Sequence, residues 1–226
     1  MADHLQYLTD SEILGVGIPR LFHMVWVGPN PMPEFAVRNF ETWKQLMPSW
    51  TFRLWTNNDI HNGEFPDDIL VRIHESNTGV QKCDIMKYFI VEKYGGVYMD
   101  ADVTPAASLE PIIQLNKKLV LCHDIDVTWG YMAVGFFAAV PHHPVLQRAC
   151  KDLYVAPLNT GEPHFHTGPG LMGRAFWNTP PTGEKYALLP YKFFYYNTDR
   201  PADENFPGSK DFPEKFGTHE YARMWS

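Results

Sequence analysis

Apolar residues in this chain form short runs that alternate with stretches of helical periodicity. The run at residues 20–27 is rich in strand-forming residues and ends at a Gly-Pro-Asn-Pro loop, which predicts a buried first strand. Apolar residues then recur at helical spacing between Pro33 and Pro48, and residues 51–55 predict a second strand. A longer helix is predicted to end at Tyr94, directly before a pair of glycines.

The rest of the chain continues this alternation. Further helices are predicted near residues 66–75, 109–113, 144–154 and 171–177, and further strands near 97–99, 119–122, 134–140 and 188–190. Residues 155–169 predict a loop, and residues 1–17 and 198–226 predict irregular ends. Strands that alternate with helices predict an α/β fold with a mainly parallel central sheet flanked by helices, in a single domain over residues 1–226.

Composition and charge narrow the class of protein. A chain of 226 residues with 45% hydrophobic and 15% aromatic residues suits one globular domain with a real core. Its net charge is −7 and it has no dense run of Lys and Arg, which argues against a nucleic-acid partner. Any phosphate group that the protein binds must therefore be held locally, by a metal ion or by backbone amides.

The cysteines and the distribution of apolar residues suggest where the protein works. The three cysteines lie far apart and form no Cys-x-x-Cys pair, which fits free thiols in a reducing compartment. The first nine residues do not read as a signal peptide, and no apolar run is long enough to cross a bilayer. We therefore expect a soluble, cytoplasmic protein without a transmembrane segment; its oligomeric state is left open.

The main candidate for chemistry is the stretch Tyr-Gly-Gly-Val-Tyr-Met-Asp-Ala-Asp at residues 94–102. It predicts a helix end, a glycine turn, a short buried strand and then two carboxylates. Residues two apart on an extended chain point to the same side, about 6.6 Å apart, so Asp100 and Asp102 can aim at one point. Carboxylate pairs of this kind suit a hard divalent cation. The alternative is an ordinary surface turn.

Several blocks resemble the DXD-containing glycosyltransferases often called family 32. The opening strand at residues 18–28, the Asp-Ile-Met-Lys of residues 84–87 and the DXD stretch match this family, including the spacing between the last two. Weaker similarities follow at residues 141–144, 167–170, 189–195, and at His219 with Trp225. The family includes yeast mannosyltransferases and bacterial capsule transferases, and the clostridial glucosylating toxins are similar to it.

The resemblance implies a GT-A type fold, a nucleotide-sugar donor and a metal ion, Mn²⁺ or Mg²⁺, at the DXD motif. Asp102 would bind the metal directly, whereas Asp100 would contact ribose or the donor sugar and also the metal, so these two residues are the predicted catalytic pair. His219 would be the third metal ligand; the alternative is a solvated histidine in a polar tail. A cation at this motif stabilises the charge that develops on a diphosphate leaving group.

The resemblance also implies a donor-binding set. It comprises Val25 and Trp26 after the first strand, Asp84 and Lys87 on the long helix, Tyr98, Gly168 and Trp225. Trp26 would stack on the base and Asp84 would bind sugar hydroxyls; the alternatives are a core tryptophan and a helix-surface carboxylate. Lys87 stands where the family commonly has Arg, so it would act as a point charge. The Asn that the family often has before Pro141 is replaced here, near Val134.

Other groups of polar residues are weaker candidates for a functional site. His142-His143 and His164-x-His166 lack a carboxylate or cysteine partner at metal-binding spacing, so solvated loop histidines are predicted. Asp124-x-Asp126 also follows a predicted strand, so it could line the acceptor side of a site. The alternative is an ordinary surface turn.

The predicted function is a metal-dependent glycosyltransferase that moves a hexose from a UDP- or GDP-linked donor to a hydroxyl of a glycan or glycolipid. By resemblance, the reaction retains the anomeric configuration. Two alternatives stay open. The run Asp100-Ala-Asp102-Val-Thr104 also fits the nucleophile motif of haloacid-dehalogenase phosphohydrolases, with Asp100 as nucleophile. The other alternative is a non-catalytic glycan-binding protein on the same fold.

Overall fold

A six-stranded sheet forms the centre of the protein in the computed structural model, which describes residues 17–124, 130–179, 186–195 and 213–221. The strands are β1 (Leu21–Val25), β2 (Thr51–Trp55), β3 (Gly96–Met99), β4 (Val103–Pro105), β5 (Leu119–His123), β6 (Met132–Ala139), β7 (Tyr186–Leu189) and β8 (Gly217–His219). Six of them build the central sheet in the order β2-β1-β3-β6-β5-β7, and β4 pairs with β8 in a separate small sheet.

The central sheet is parallel except for β6. Strand β1 pairs in parallel with β2 and β3, β5 pairs in parallel with β7, and β6 is antiparallel to both β3 and β5. The predicted α/β class with a mainly parallel sheet is confirmed. As a result, the carboxyl ends of five strands meet at one edge, together with the beginning of β6, and this edge is where α/β proteins bind ligands.

Helices cover the sheet on both faces. They are α1 (Glu34–Leu46), α2 (Asn57–Ile60), α3 (Asp67–Glu75), α4 (Gly79–Tyr94), α5 (Glu110–Gln114), α6 (Pro144–Leu153), α7 (Pro163–His166) and α8 (Pro169–Trp177). Two buried apolar clusters result. One lies between the sheet and α4, α6 and α8, and the other lies on the opposite face, under α1, α5 and residues 193–195. Along β3, Val97 and Met99 face one cluster and Tyr98 faces the other, as strand alternation requires.

Four short elements were not predicted from the sequence, and one of them is β4. Residues 57–60 form α2, whose beginning is stabilised by a reciprocal capping box between Thr56 and Asp59. Residues 163–166 form α7 inside the predicted loop, and residues 217–219 form β8 inside the tail that was predicted to be irregular. Strand β8 exists because β4 offers it a partner, and that pairing joins residues far apart in the chain.

The glycine turn before β3 admits no other residue. Gly95 and Gly96 have φ angles of 63° and 94°, and a Cβ on Gly96 would lie 2.3 Å from the carbonyl oxygen of Leu21. Buried His23 secures this turn. One ring nitrogen of His23 lies 2.9 Å from the carbonyl oxygen of Gly95, and the other accepts a hydrogen bond from the Trp55 indole at 3.1 Å.

We expect His23 to make the fold sensitive to mild acid. Burial lowers the pKa of His23 from 6.5 to about 4, so the ring stays neutral in the folded protein while the unfolded chain takes up a proton below pH 6.5. Stability is therefore lost as the pH falls from 6.5 towards 4, by about 2 kcal/mol between about pH 7.5 and pH 5. Urea unfolding of the wild type and His23→Gln measures this.

The Gln variant is the control, because it can hydrogen-bond but cannot titrate. It should be less stable than the wild type near neutral pH and should lose less stability on acidification. His143, whose pKa burial also lowers to about 4, keeps part of the acid sensitivity in both proteins. An equal pH dependence in the two proteins would contradict the role given to His23.

Cys83, Cys122 and Cys150 are free thiols, as predicted, and all three are buried. Within the described part of the chain, no helix combines the length and the apolar character needed to cross a membrane.

Candidate active site

The two predicted catalytic aspartates lie in a tight turn that follows β3. The Asp100 amide donates to the carbonyl oxygen of Gly135 on β6 at 2.8 Å, and the Val103 amide closes the turn on the carbonyl oxygen of Asp100 at 3.2 Å. The buried side chain of Asn39, from α1, donates to the carbonyl oxygen of Ala101 at 3.1 Å. The turn is therefore held both by a neighbouring strand and by a helix.

Strand β8 brings His219 to these aspartates. Its residues pair with β4, with His219 opposite Val103, and the amide of Glu220 donates to the carbonyl oxygen of Asp102 at 3.0 Å. Nε2 of His219 lies 3.4 Å from a carboxylate oxygen of Asp100 and 3.5 Å from one of Asp102. The side chain of His219 is 12% exposed, so the alternative of a solvated tail histidine is wrong.

The geometry and chemistry of these three side chains fit a divalent cation. One ligand atom from each of Asp100, Asp102 and His219 lies within 4.8 Å of the other two. Oxygen ligands together with one imidazole suit Mn²⁺ or Mg²⁺, which bind at about 2.1 Å and would keep further positions for other oxygens. Burial opposes ionisation of Asp100, but Lys87, His219 and Tyr98 outweigh it and lower its pKa to about 2. The carboxylate is therefore ionised and ready to bind a cation at neutral pH.

Aromatic residues hold the cluster in place. The hydroxyl of buried Tyr98, a residue predicted to contact the donor, donates to Asp100 at 2.7 Å and so positions this carboxylate. The rings of Tyr195 and Tyr221 lie 5.3 Å and 4.4 Å from that of His219, and the Tyr221 amide donates to Nδ1 of His219 at 3.2 Å. Nε2 therefore points at the carboxylates. Neither of these two tyrosines was predicted as a site residue.

Gly135 is a site residue that the sequence-based prediction missed. A Cβ at this position would lie 2.8 Å from Cδ2 and 3.0 Å from Nε2 of His219, and 3.1 Å from a carboxylate oxygen of Asp100. Because glycine has no Cβ, the side chains of His219 and Asp100 have room to approach each other. A lone glycine within an apolar strand is a signal of such a close approach, and it was available in the sequence.

We expect Gly135→Ala to weaken cation binding while the fold is kept. The φ angle of Gly135 is not left-handed, so the backbone accepts alanine, and the added methyl group displaces His219 from the carboxylates. Loss of one ligand should reduce Mn²⁺ affinity about tenfold or more, since even indirect support of a metal site contributes this much. Mn²⁺ titration followed by electron paramagnetic resonance measures it. Gly17→Ala, where an added methyl group meets nothing within 4 Å, is the control; equal affinities in both variants would contradict the prediction.

Asp84 and Lys87 form a buried ion pair on α4 beside the cluster. Nζ of Lys87 lies 2.6 Å from one carboxylate oxygen of Asp84, and the Thr167 hydroxyl donates to the other at 2.9 Å. Asp84 is 5% exposed, so the alternative of a helix-surface carboxylate is wrong. Burial opposes the charge on Lys87, but Asp84 and Asp100 outweigh it and raise the pKa of the ammonium. Thr167 belongs to the weaker family-like block at residues 167–170, and no role was predicted for it. Its hydrogen bond to Asp84 ties the segment between α7 and α8 to this ion pair.

The other predicted donor-binding residues are placed as follows. Trp26 follows β1 at the same edge as Asp100; it is 9% exposed, packs in the core, and its indole donates to the carbonyl oxygen of Asn30 at 3.0 Å. The Val25 side chain is buried, which leaves its main chain for any contact. Gly168 precedes α8, and its carbonyl oxygen accepts from Tyr88 at 3.1 Å. Trp225 lies outside the described residues, as does Asp126.

The structure also bears on the predicted loop histidines and on the phosphohydrolase alternative. His143 is buried and accepts a hydrogen bond from the Val145 amide at the beginning of α6, so it is not a solvated loop histidine. His142 lies in a turn, is partly exposed and contacts Glu92 at 2.9 Å. The phosphohydrolase alternative loses support, because the motif follows β3 instead of the first strand and Thr104 is exposed on β4.

Comparisons with known proteins agree with this geometry. Residues 33–119 match the family profile "Glycosyltransferase sugar-binding region containing DXD motif". Over 141 residues, the chain is 32% identical to inositol phosphoceramide mannosyltransferase 1 of Schizosaccharomyces pombe, which covers 60% of this chain and 43% of the relative. The chain spans about half the length of the curated relatives that it matches first.

Solved structures support the fold. The PaToxG glycosyltransferase superposes with a TM-score of 0.55 at 12% identity, over 73% of this chain and 70% of that structure. The UDP-bound glycosyltransferase domain of the YGT toxin superposes with a TM-score of 0.51 at 8% identity, over 76% and 79%. The predicted GT-A type fold is confirmed.

Proposed function

This chain belongs to the DXD-containing glycosyltransferases through residues 33–119, and on that premise we propose that it transfers a hexose from a nucleotide diphosphate sugar to a hydroxyl of a glycan or glycolipid, with a divalent cation. The family profile and the named relatives support the predicted family and the predicted enzyme class, a glycosyltransferase. The donor, the acceptor, the metal and the stereochemistry belong to the proposal.

The convergence of Asp100, Asp102 and His219 is the observation that carries the proposal. Three ligand atoms from two sheets lie within 4.8 Å of one another at the edge of the sheet where α/β proteins bind ligands. When bound there, Mn²⁺ or Mg²⁺ would neutralise charge that develops on a diphosphate leaving group. The protein contributes the fixed carboxylates, which Tyr98, Gly135 and Asn39 hold in place before any ligand arrives.

Mannose is the sugar that we propose first. The name of the Schizosaccharomyces pombe relative states that it transfers mannose to inositol phosphoceramide, and the matched segment includes part of this chain's site. Asp84 and Lys87 would bind sugar hydroxyls as an ion pair, with Thr167 fixing the carboxylate. Trp26, at the end of β1, would lie beside the base, and Gly168 would allow close approach of the backbone.

We also propose that the reaction retains the anomeric configuration. The bond from the anomeric carbon to the phosphate oxygen breaks, and a bond to the acceptor oxygen forms on the same face. The acceptor hydroxyl gives its proton to the departing phosphate oxygen, so no protein nucleophile is required. An inverted product in a proton NMR spectrum would contradict this step without affecting the transfer itself.

A donor screen tests the proposed function. With Mn²⁺ present, GDP-mannose or a UDP-hexose should raise the melting temperature, because a ligand that binds only the folded state stabilises it. The same donor should release nucleoside diphosphate slowly by hydrolysis. Hydrolysis of a simple phosphomonoester without any nucleotide effect would favour the phosphohydrolase alternative. A protein that neither binds nor hydrolyses any donor would favour a non-catalytic glycan-binding role.

A cytoplasmic location stays a prediction from the sequence, as does the single domain over residues 1–226.

A further inference from the structure

A second carboxylate lies at the same edge of the sheet as the metal-binding cluster. Asp124 directly follows β5, and its amide lies 3.4 Å from the carbonyl oxygen of Tyr131, which it faces across the beginning of β6. The same strand accepts the amide of Asp100 on its other side, through Gly135. One strand therefore separates the two residues, which is about 10 Å across the sheet, and their partners on that strand, Gly135 and Tyr131, lie four residues apart.

Asp124 is largely buried and lies beside a histidine. It is 8% exposed, and one of its carboxylate oxygens lies 3.6 Å from Nε2 of His164 on α7. His164 itself is open to solvent and its ring lies 5.4 Å from that of Tyr131. Sequence spacing had predicted no carboxylate partner for this histidine, because Asp124 is forty residues away and reaches it only through the fold.

Two tyrosine hydroxyls connect Asp124 to the cluster. The hydroxyls of Tyr191 and Tyr221 hydrogen-bond to each other, and the Tyr221 ring lies 4.4 Å from that of His219. Asp124 and Tyr191 each lie two positions beyond a pair of neighbouring residues, Cys122 of β5 and Leu189 of β7, which brings them to the same edge of the sheet. Burial raises the pKa of Tyr191, its bond to Tyr221 opposes this, and the negative charge of Asp124 raises the pKa further. Tyr221 is exposed, so its hydroxyl and ring face are open to a ligand.

The order of the strands places these residues on one side of the proposed donor site. Along the edge, Trp26 follows β1, Asp100 follows β3, and Asp124 follows β5 beyond β6. If the base lies at β1 and the diphosphate at β3, as proposed above, the position at β5 lies past the donor. A carboxylate, an imidazole, hydroxyls and aromatic rings are the groups that bind polyol rings, by hydrogen bonds to hydroxyls and by stacking.

We propose that Asp124, with His164, Tyr191 and Tyr221, forms the acceptor subsite and binds the hydroxyls of a sugar or cyclitol ring. This inference rests on the proposed glycosyltransferase function and names the chemical class of its acceptor. Asp124 accepts hydrogen bonds from acceptor hydroxyls and fixes the ring, while His164 keeps the carboxylate oriented. Tyr221 contacts both the acceptor and a metal-binding histidine, so binding at the two positions is linked.

Transfer kinetics with soluble acceptor probes test the subsite. The probes are methyl α-D-mannoside and myo-inositol, with Mn²⁺ and the donor that the wild type hydrolyses. Asp124→Asn should lower kcat/KM for the probe about tenfold or more, since a hydrogen bond to a charged group contributes about that factor. The ratio of glycosylated probe to free sugar should fall in parallel. Tyr221→Phe, which keeps the ring on His219, should lower the same ratio about threefold.

Asp152→Asn is the matched control, because it removes a surface carboxylate that pairs with Arg148 on α6. It should behave as the wild type. If the wild type turns over its donor and Asp124→Asn keeps the wild-type ratio of transfer to hydrolysis, the acceptor subsite is wrong while the glycosyltransferase function stands. If the wild type turns over no donor, the proposed function fails, and the subsite fails with it. An Asp124→Asn variant that loses Mn²⁺-dependent donor binding would also overturn the assignment, because it would place Asp124 on the donor side.

Discussion

Asp102→Asn should abolish sugar transfer and Mn²⁺-dependent nucleotide binding while the fold stays intact. Asparagine keeps the size of the side chain and replaces a negative ligand oxygen with a neutral amide. The main-chain bond from Glu220 to the carbonyl oxygen of Asp102 is unaffected, so the turn and β8 should persist. We expect donor hydrolysis to fall at least about a hundredfold, which is the usual effect of removing one electrostatic partner of a leaving group. Nucleoside diphosphate release and Mn²⁺-dependent thermal shift measure it.

Thr104→Ala is the control that separates this result from the phosphohydrolase alternative. Thr104 belongs to the same Asp-x-Asp-x-Thr run, but it is exposed on β4 and pairs through its main chain with Thr218. The glycosyltransferase function predicts wild-type turnover in this variant. A large loss in Thr104→Ala, or unchanged donor hydrolysis in Asp102→Asn, would remove the basis for the proposed metal site.

Lys87→Met should destabilise the protein by about 3–5 kcal/mol, because it leaves the Asp84 carboxylate buried without its cation. Methionine preserves most of the volume, so the cost is electrostatic and not a cavity. The pKa of Asp100, which Lys87 helps to lower, should rise, and donor hydrolysis should decline with it. Equilibrium unfolding in urea gives the change in the free energy of unfolding.

Two further variants identify the source of that loss. The double variant Asp84→Asn with Lys87→Met removes both charges and should recover part of the stability, since the unpaired buried charge is gone. Lys93→Met, on the same helix, removes a lysine whose pair with Glu64 is half exposed, and it should cost less than about 1 kcal/mol. Equal losses in Lys87→Met and Lys93→Met would contradict the buried-pair argument.

Much of the fold was readable from local patterns. Strand β2 was predicted at its observed residues, and α1, α3 and α4 differ from the prediction by one or two residues at their ends. These elements are specified by periodicity and by neighbouring Pro and Gly, which act within a few residues. The direction of β6 was not readable, because its run of apolar residues is compatible with either orientation.

The candidate site, too, was only partly predictable from local sequence. Sequence spacing placed Asp100 and Asp102 together, but on an extended strand, whereas the structure brings them together in the tight turn that follows β3. Burial of Asp84 against Lys87 could be anticipated from their spacing on a helix, but the third member, Thr167, lies 83 positions away from Asp84. The hydrogen bond from Tyr98 to Asp100 was not predicted, because only the folded turn after β3 directs its hydroxyl to this carboxylate.

The sequence by itself determined the α/β class, the glycine turn at Gly95 and Gly96 and the paired carboxylates, because each depends on sterics or spacing within one segment. The tertiary structure alone decided that His219 meets Asp100 across 119 positions, that Gly135 leaves room for both, and that Asp124 joins His164. These contacts depend on which strands pair and in which register, and burial of apolar surface over the whole chain selects that pairing.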